Sequence, residues 1–219
     1  MTAGSRQLML QGIRAGLGAV ESELKNDYAE LSRLYTQRGL MSVQAKLALM
    51  VERLREYDAA VVECSESALD ETIAAEIAGS GKRVLAAPEG LPQQWLANSV
   101  EWRIDHGMTN QQIEQVEGVV TASFCGIAES GTIVLHHSST EGRRVLTLLP
   151  DWHLCVLRAS QVVETLPECF ARCAEPPRLA TYISGPSATA DIEMTRIKGV
   201  HGPRFLSVVL VRDDKPPRA

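Results

Sequence analysis

From Ala59 onward the chain alternates short apolar runs, each the length of a buried strand, with helix-forming stretches or tight turns. That grammar restricts it to an α/β sheet architecture. Residues 59–64 read as a buried strand, Ser65 as the cap of a helix reaching about residue 78, and 82–87 as the next strand, which together make one parallel β-α-β crossover. Ala78-Gly79-Ser80-Gly81-Lys82 resembles part of a phosphate-binding loop, but it follows a helix and precedes a strand, the reverse of that context. It reads instead as a helix C-cap.

Residues 100–105 form a further strand, and Thr109 caps a short polar helix through Gln115. After Val119 the helices stop. Residues 119–128, 132–137, 144–149 and 154–158 read as strands joined by short turns, hence largely antiparallel, so the sheet is expected to be mixed. A helix over 160–173 places Val163, Leu166, Phe170 and Cys173 on one face and ends at Glu175-Pro176-Pro177. The last unit is a strand at 179–184, a loop, a short helix around 190–195 and a strand at 205–211, followed by a polar tail.

Residues 1–57 read as a helical arm and 58–219 as one α/β domain. In the arm, Leu24, Tyr28, Leu31 and Tyr35 recur at helical spacing, Gly39 interrupts, and Leu40, Val43, Leu47, Met50 and Leu54 restart the pattern. These apolar faces pack either on the domain behind them, the plainer reading, or on another copy in a homo-oligomer.

Composition narrows the partners. With 45% hydrophobic and 22% charged residues the chain has ordinary globular content, against disorder, collagen or coiled coil. Its 22 Lys and Arg against 27 Asp and Glu give a net charge of −5, which argues against nucleic acid or an anionic membrane as principal partner. The five cysteines sit singly among apolar neighbours, and the nearest pair, Cys169 and Cys173, is spaced C-x3-C without the C-x2-C-x2-C run of a ferredoxin-type site. No metal or iron–sulfur cluster is therefore expected in this chain, and its thiols fit a reducing compartment. The first twenty residues lack a signal-peptide apolar core and no run is long enough to span a membrane, so a cytoplasmic protein is expected.

Three segments carry candidate chemistry. In Thr181 to Glu193, a strand delivers Gly185, Pro186, Ser187 and Thr189 to the start of the short helix, where free backbone N–H groups, hydroxyls and Asp191 form either an anion site or an ordinary helix cap. In Lys198 to Arg204, two glycines and a proline shape a turn that presents His201, with Gly202 and Arg204 beside it, to an anion or a proton. In the Glu129-Ser130-Gly131-Thr132 turn a carboxylate stands beside a glycine amide, either a solvated hairpin acid or a nucleophile with an oxyanion donor next to it. The adjacent His136 and His137 face opposite sides of a strand, so at most one enters a site, and Asp151-Trp152-His153 reads as a rim turn.

AESGTIVL at 128–135, ISGPSATADIE at 183–193 and KGVHGPRFLSVVLV at 198–211 together resemble the lactate-utilisation protein C family, short members of the LUD domain group. The resemblance implies a Rossmann-like mixed sheet of the sugar-phosphate isomerase and CoA-transferase class with flanking helices. It also implies a role beside two iron–sulfur proteins in oxidising L-lactate to pyruvate, this chain being the member without a cluster and either ligand-binding or accessory. Glu129, His201 and Asp191 become the candidate reactive groups. Ser130, Gly131, Thr132, Gly185, Pro186, Ser187, Thr189, Gly202 and Arg204 become candidate contacts to a small carboxylate or phosphate-like anion. Some CoA-transferases of this class use a glutamate with a glycine two positions on, which Glu129-Ser130-Gly131 resembles, so acyl transfer through Glu129 is the alternative. This chain differs from them in having no glycine-rich CoA loop near its start.

Overall fold

The computed structural model describes residues 3–17, 32, 34–173, 175, 177–189, 197–198 and 202–212. Two units result, residues 1–36 and 37–219. The first contains helix α1 (Ala3–Leu17), whose Leu8, Met9, Ile13 and Leu17 are exposed. Of the arm pattern, Leu24, Tyr28 and Leu31 lie outside the described residues.

The second unit opens with α2 (Val43–Glu56), capped by Ser42, whose hydroxyl accepts from the Ala45 amide at 3.2 Å. The apolar spacing that restarts after Gly39 becomes its buried face, Leu47, Met50, Val51 and Leu54. They pack with Leu157, Val208 and Leu210 in the main core, so α2 belongs to the α/β unit and the boundary lies earlier than residue 57.

Strands β1 (Ala60–Ser65), β2 (Val84–Pro88), β3 (Glu101–Asp105), β4 (Gly118–Thr121), β7 (Trp152–Arg158) and β12 (Phe205–Arg212) form a six-stranded sheet in the order β1-β12-β7-β4-β2-β3. Every pairing in it is parallel. Strands β4, β7 and β12 are almost continuously apolar because both faces are covered. Helix α3 (Leu69–Ser80), closed by left-handed Gly81, covers one face through Leu69, Ile73 and Ile77. The short α4 (Asn110–Glu114) begins at a capping box between Thr109 and Gln112.

The class is the Rossmann-like α/β fold, but the antiparallel pairs are segregated. Strands β5 (Cys125–Ile127) and β6 (Thr132–Leu135) form a hairpin in a second sheet, completed by β8 (Val162–Val163) and β9 (Thr181–Ile183) in the order β8-β5-β6-β9. The run 119–128, expected as one strand, is broken because residues 122–124 carry the chain from one sheet to the other. There the Ala122 amide bonds Thr140 O and the Ser123 hydroxyl bonds Val156 O. The expected strand at 144–149 is a 3-10 turn, Arg144–Thr147, in which only Leu146 and Thr147 are buried. The expected helix over 160–173 shortens to α5 (Leu166–Ala171), because Pro167 must lie in the first turn. Strands β10 (Ala188–Thr189) and β11 (Ile197–Lys198) make a separate antiparallel ladder, and the helix expected at 190–195 lies outside the described residues.

Two turns rest directly on α2. Gly131, at φ 60°, leaves its missing Cβ only 2.6 Å from Arg53 Cβ and 3.0 Å from the Arg53 carbonyl carbon. Gly185, at φ 91°, does the same against Tyr57, at 2.6 Å. Any side chain at either position meets both strain and collision. Gly131→Ala is expected to destabilise by about 1–3 kcal/mol. Gly79→Ala, on α3 with nothing within 4 Å of the added carbon, should stabilise by about 0.5–1 kcal/mol. Thermal melts of the two variants check both signs.

Candidate functional site

The residues of the two glycine-proline motifs meet in one cavity of about 200 Å³. Its floor is His153 and Leu206, the second residues of β7 and β12, so it lies over the amino-terminal ends of those parallel strands. Its walls are β9 and the following turn, with Thr181, Ser184, Gly185 and Ser187, then Gly202-Pro203 and the 3-10 turn bearing Arg144 and Thr147. The expected location at the carboxyl end of a sheet strand holds only for β9, which belongs to the small sheet.

Two hydrogen-bond chains end at this wall. One runs from Ser130 Oγ to Thr132 Oγ1 and on to Ser184 Oγ, each step 2.7 Å, and so links the Glu129 turn to the cavity. The other is held by His137, a residue at φ 57°. Its Nδ1 is 2.9 Å from Gly142 O and its Nε2 is 2.8 Å from Thr181 Oγ1. His136, just past the end of β6, stacks instead on Phe124 at 3.7 Å; the expected strand 132–137 stops at Leu135, so the left-handed turn at His137 and not strand alternation separates the two rings, and burial lowers the His136 pKa.

Beneath the cavity His153 is 1% exposed and its Nε2 lies 2.8 Å from Thr121 Oγ1. Burial pushes its pKa down to about 4, so it is a neutral dipole in the floor. Cys155, on the same face, is pushed up to about 12 by burial and remains a thiol. The cation of the site is Arg144, exposed at the rim, and among the described residues no carboxylate pairs with it.

The other sequence candidates are placed as follows. The Ser187 amide donates to Pro203 O at 2.8 Å and so joins the two motif loops, while Gly202 packs beside Ser187. Pro186 shapes the turn without lining the cavity, and Thr189 lies in the β10 ladder. Arg204 is directed away from an anion, because its Nε and Nη2 both bind the Asp151 carboxylate, with Lys82 3.8 Å from the same group. This pairing holds the Asp151 carboxyl below the usual carboxylate range. Glu129 is exposed outside the cavity; its amide donates to Glu164 O and the Gly131 amide to Ala128 O, so neither is directed at a developing oxyanion. Asp191 and His201 lie outside the described residues.

Sequence reasoning did not single out Arg144, Thr181 or Ser184, and treated His153 as rim. The available signal was a lone polar residue at the even positions of an apolar strand: Thr121, His153 and Cys155 share one face.

His153 also sets a pH response. The unfolded ring takes up a proton near pH 6.5 and the folded ring only near 4. Between these values the unfolded chain binds more protons, so stability is lost as pH falls through this window. The contribution is up to about 3 kcal/mol. Denaturation of His153→Gln beside wild type should show the slope between pH 6.5 and 4.5 reduced, and an identical slope refutes the assignment.

The sequence model of the LUD domain matches residues 41–211. A protein named lactate utilization protein C from Deinococcus radiodurans is 38% identical over 164 residues, covering 73% of this chain and 76% of that one. One of the same name from Bacillus subtilis is 37% identical over 121 residues, about half of each chain (52% and 50%). A crystal structure of a DUF162 family protein from D. radiodurans, 32% identical, superposes with a TM-score of 0.66 over 78% of this chain and 99% of that one. With a family match spanning most of the chain and the fold shared, this chain belongs to the LUD domain family.

Proposed function

We propose that this protein is the cluster-free component of a cytoplasmic L-lactate utilisation system and binds a small carboxylate in the cavity between the β9 turn and the Arg144 turn. The observation that carries the reading is the convergence of Arg144, a cation with no carboxylate partner among the described residues, with the hydroxyls of Thr181 and Ser184 and the Ser187 turn around about 200 Å³. That volume lies below the roughly 300–1,000 Å³ of pockets for drug-sized ligands and suits a molecule of a few heavy atoms. Arg144 supplies charge, and the hydroxyls supply hydrogen bonds that fix orientation.

The names of the D. radiodurans and B. subtilis relatives support lactate utilisation as the setting. Oxidation of L-lactate to pyruvate releases two electrons and two protons, and in this proposal iron–sulfur clusters on two partner proteins accept the electrons. This chain holds or hands over the acid. Its cysteines suit that division, since Cys125 and Cys155 are wholly buried with thiol pKa values raised by desolvation. Acyl transfer through Glu129 draws less support, because the amides beside that carboxylate already have backbone acceptors.

Calorimetric titration of the full chain with L-lactate, pyruvate and inorganic phosphate tests the reading. Wild type should bind at least one carboxylate, and Arg144→Ala should weaken it about 10- to 100-fold with little change in melting temperature, since the side chain is exposed. Deleting the gene should abolish growth on L-lactate. No binding of either acid by wild type overturns the site.

A further inference from the structure

The hydrogen-bond partners of His137 dictate which way the Thr181 hydroxyl points, and with it the kind of ligand the cavity accepts. Gly142 O is a carbonyl and can only accept, so the ring nitrogen 2.9 Å from it, Nδ1, must carry the hydrogen. A neutral imidazole has one hydrogen, which leaves Nε2 a bare acceptor. Thr181 Oγ1, 2.8 Å from Nε2, must therefore donate its hydrogen to the ring. What Thr181 turns toward the cavity is a lone pair.

Ser184 is under no such constraint. Its partners are hydroxyls, Thr132 and then Ser130, and the chain ends at an exposed residue, so it runs in either direction at little cost. With Ser130 donating to Thr132 and Thr132 to Ser184, the Ser184 hydrogen is available to the cavity. The wall thus combines an adaptable donor, a rim guanidinium and one acceptor whose orientation is fixed from behind.

We infer that the His137–Thr181 pair selects a 2-hydroxy carboxylate over the corresponding 2-oxo carboxylate. The ligand's carboxylate takes hydrogens from Arg144 and Ser184, and its hydroxyl donates to the Thr181 lone pair. A keto oxygen in that place sets two acceptors against each other, with no hydrogen between them. His137 acts as a positioning residue: it does not line the cavity, and it works by holding the hydrogen of a residue that does. Its left-handed backbone, uncommon for any residue with a side chain, is the cost of placing the ring between Gly142 and Thr181. The inference rests on the carboxylate reading of the cavity given above.

Three measurements at pH 8.5 test it. Two-bond proton–nitrogen NMR spectra of the full chain should report His137 as the Nδ1–H tautomer, and the Nε2–H tautomer overturns the inference. Calorimetry of wild type should give a Kd for L-lactate about tenfold lower than for pyruvate, a ratio that Thr181→Ser keeps. Thr181→Val, which removes the lone pair, and His137→Asn, which frees the Thr181 hydrogen and suits a left-handed backbone, should each bring the two affinities to within about twofold. Should Thr181→Val not fold, His137→Asn alone decides. Equal affinities in wild type, or a preference that survives in His137→Asn, overturn the selection while leaving the carboxylate site standing. Binding of neither acid by wild type overturns both.

Discussion

The cavity side of this fold depends on how closely two turns approach one helix. Gly131 and Gly185 sit in turns next to different strands of the small sheet, yet both lie against the carboxyl-terminal end of α2, on Arg53, Leu54 and the capping residue Tyr57. The buried stripe Leu47, Met50, Val51 and Leu54 in turn fixes α2 on the parallel sheet, each such side chain contributing about 1.5–3 kcal/mol when fully buried. The helix therefore acts as a spacer between sheets. Its contacts set the height at which β9 and its turn stand above β7 and β12, and the cavity is the gap that remains.

Around that gap the charges are distributed economically. The guanidinium of Arg204 binds Asp151 and ties the start of β12 to the turn before β7. His153 lies below as an uncharged ring, kept neutral by desolvation. Arg144 alone is left to meet an anion from the described part of the site, and the rest of the lining is hydroxyl and backbone. Fixed dipoles of this sort recognise a small acid through orientation more than through net charge.

Much of this was legible in the sequence. Local features fixed by short-range chemistry appear where the residues indicate them: the first β-α-β crossover, the Thr109 cap and the Gly81 helix end. The meeting of the Gly185–Ser187 turn with Gly202-Pro203 is also as the motifs suggest. What the sequence concealed was long-range. Nothing local distinguishes a ten-residue strand from two strands in different sheets, and the break at 122–124 depends on acceptors at Thr140 and Val156. Arg144 was hidden by an apolar run that resembles a strand but buries only part of itself. Glu129 looked reactive because a glycine follows it, whereas Gly131 is needed by the helix it touches.

The strand order carries one further consequence. The central position between β1 and β7 is filled by β12, and the Arg212–Glu63 pair that closes this edge joins residues 149 apart in the chain. Until β12 arrives, β1 has no neighbour in the sheet and β7 has one bare edge. Strand β1 must thus wait for residues far downstream before it can pair. Sheet closure must be a late step of high contact order, slow by comparison with the local crossovers. In a protein built in this way the β1 edge is the part of the sheet whose formation responds most to changes in the last strand, since no other strand can pair with it.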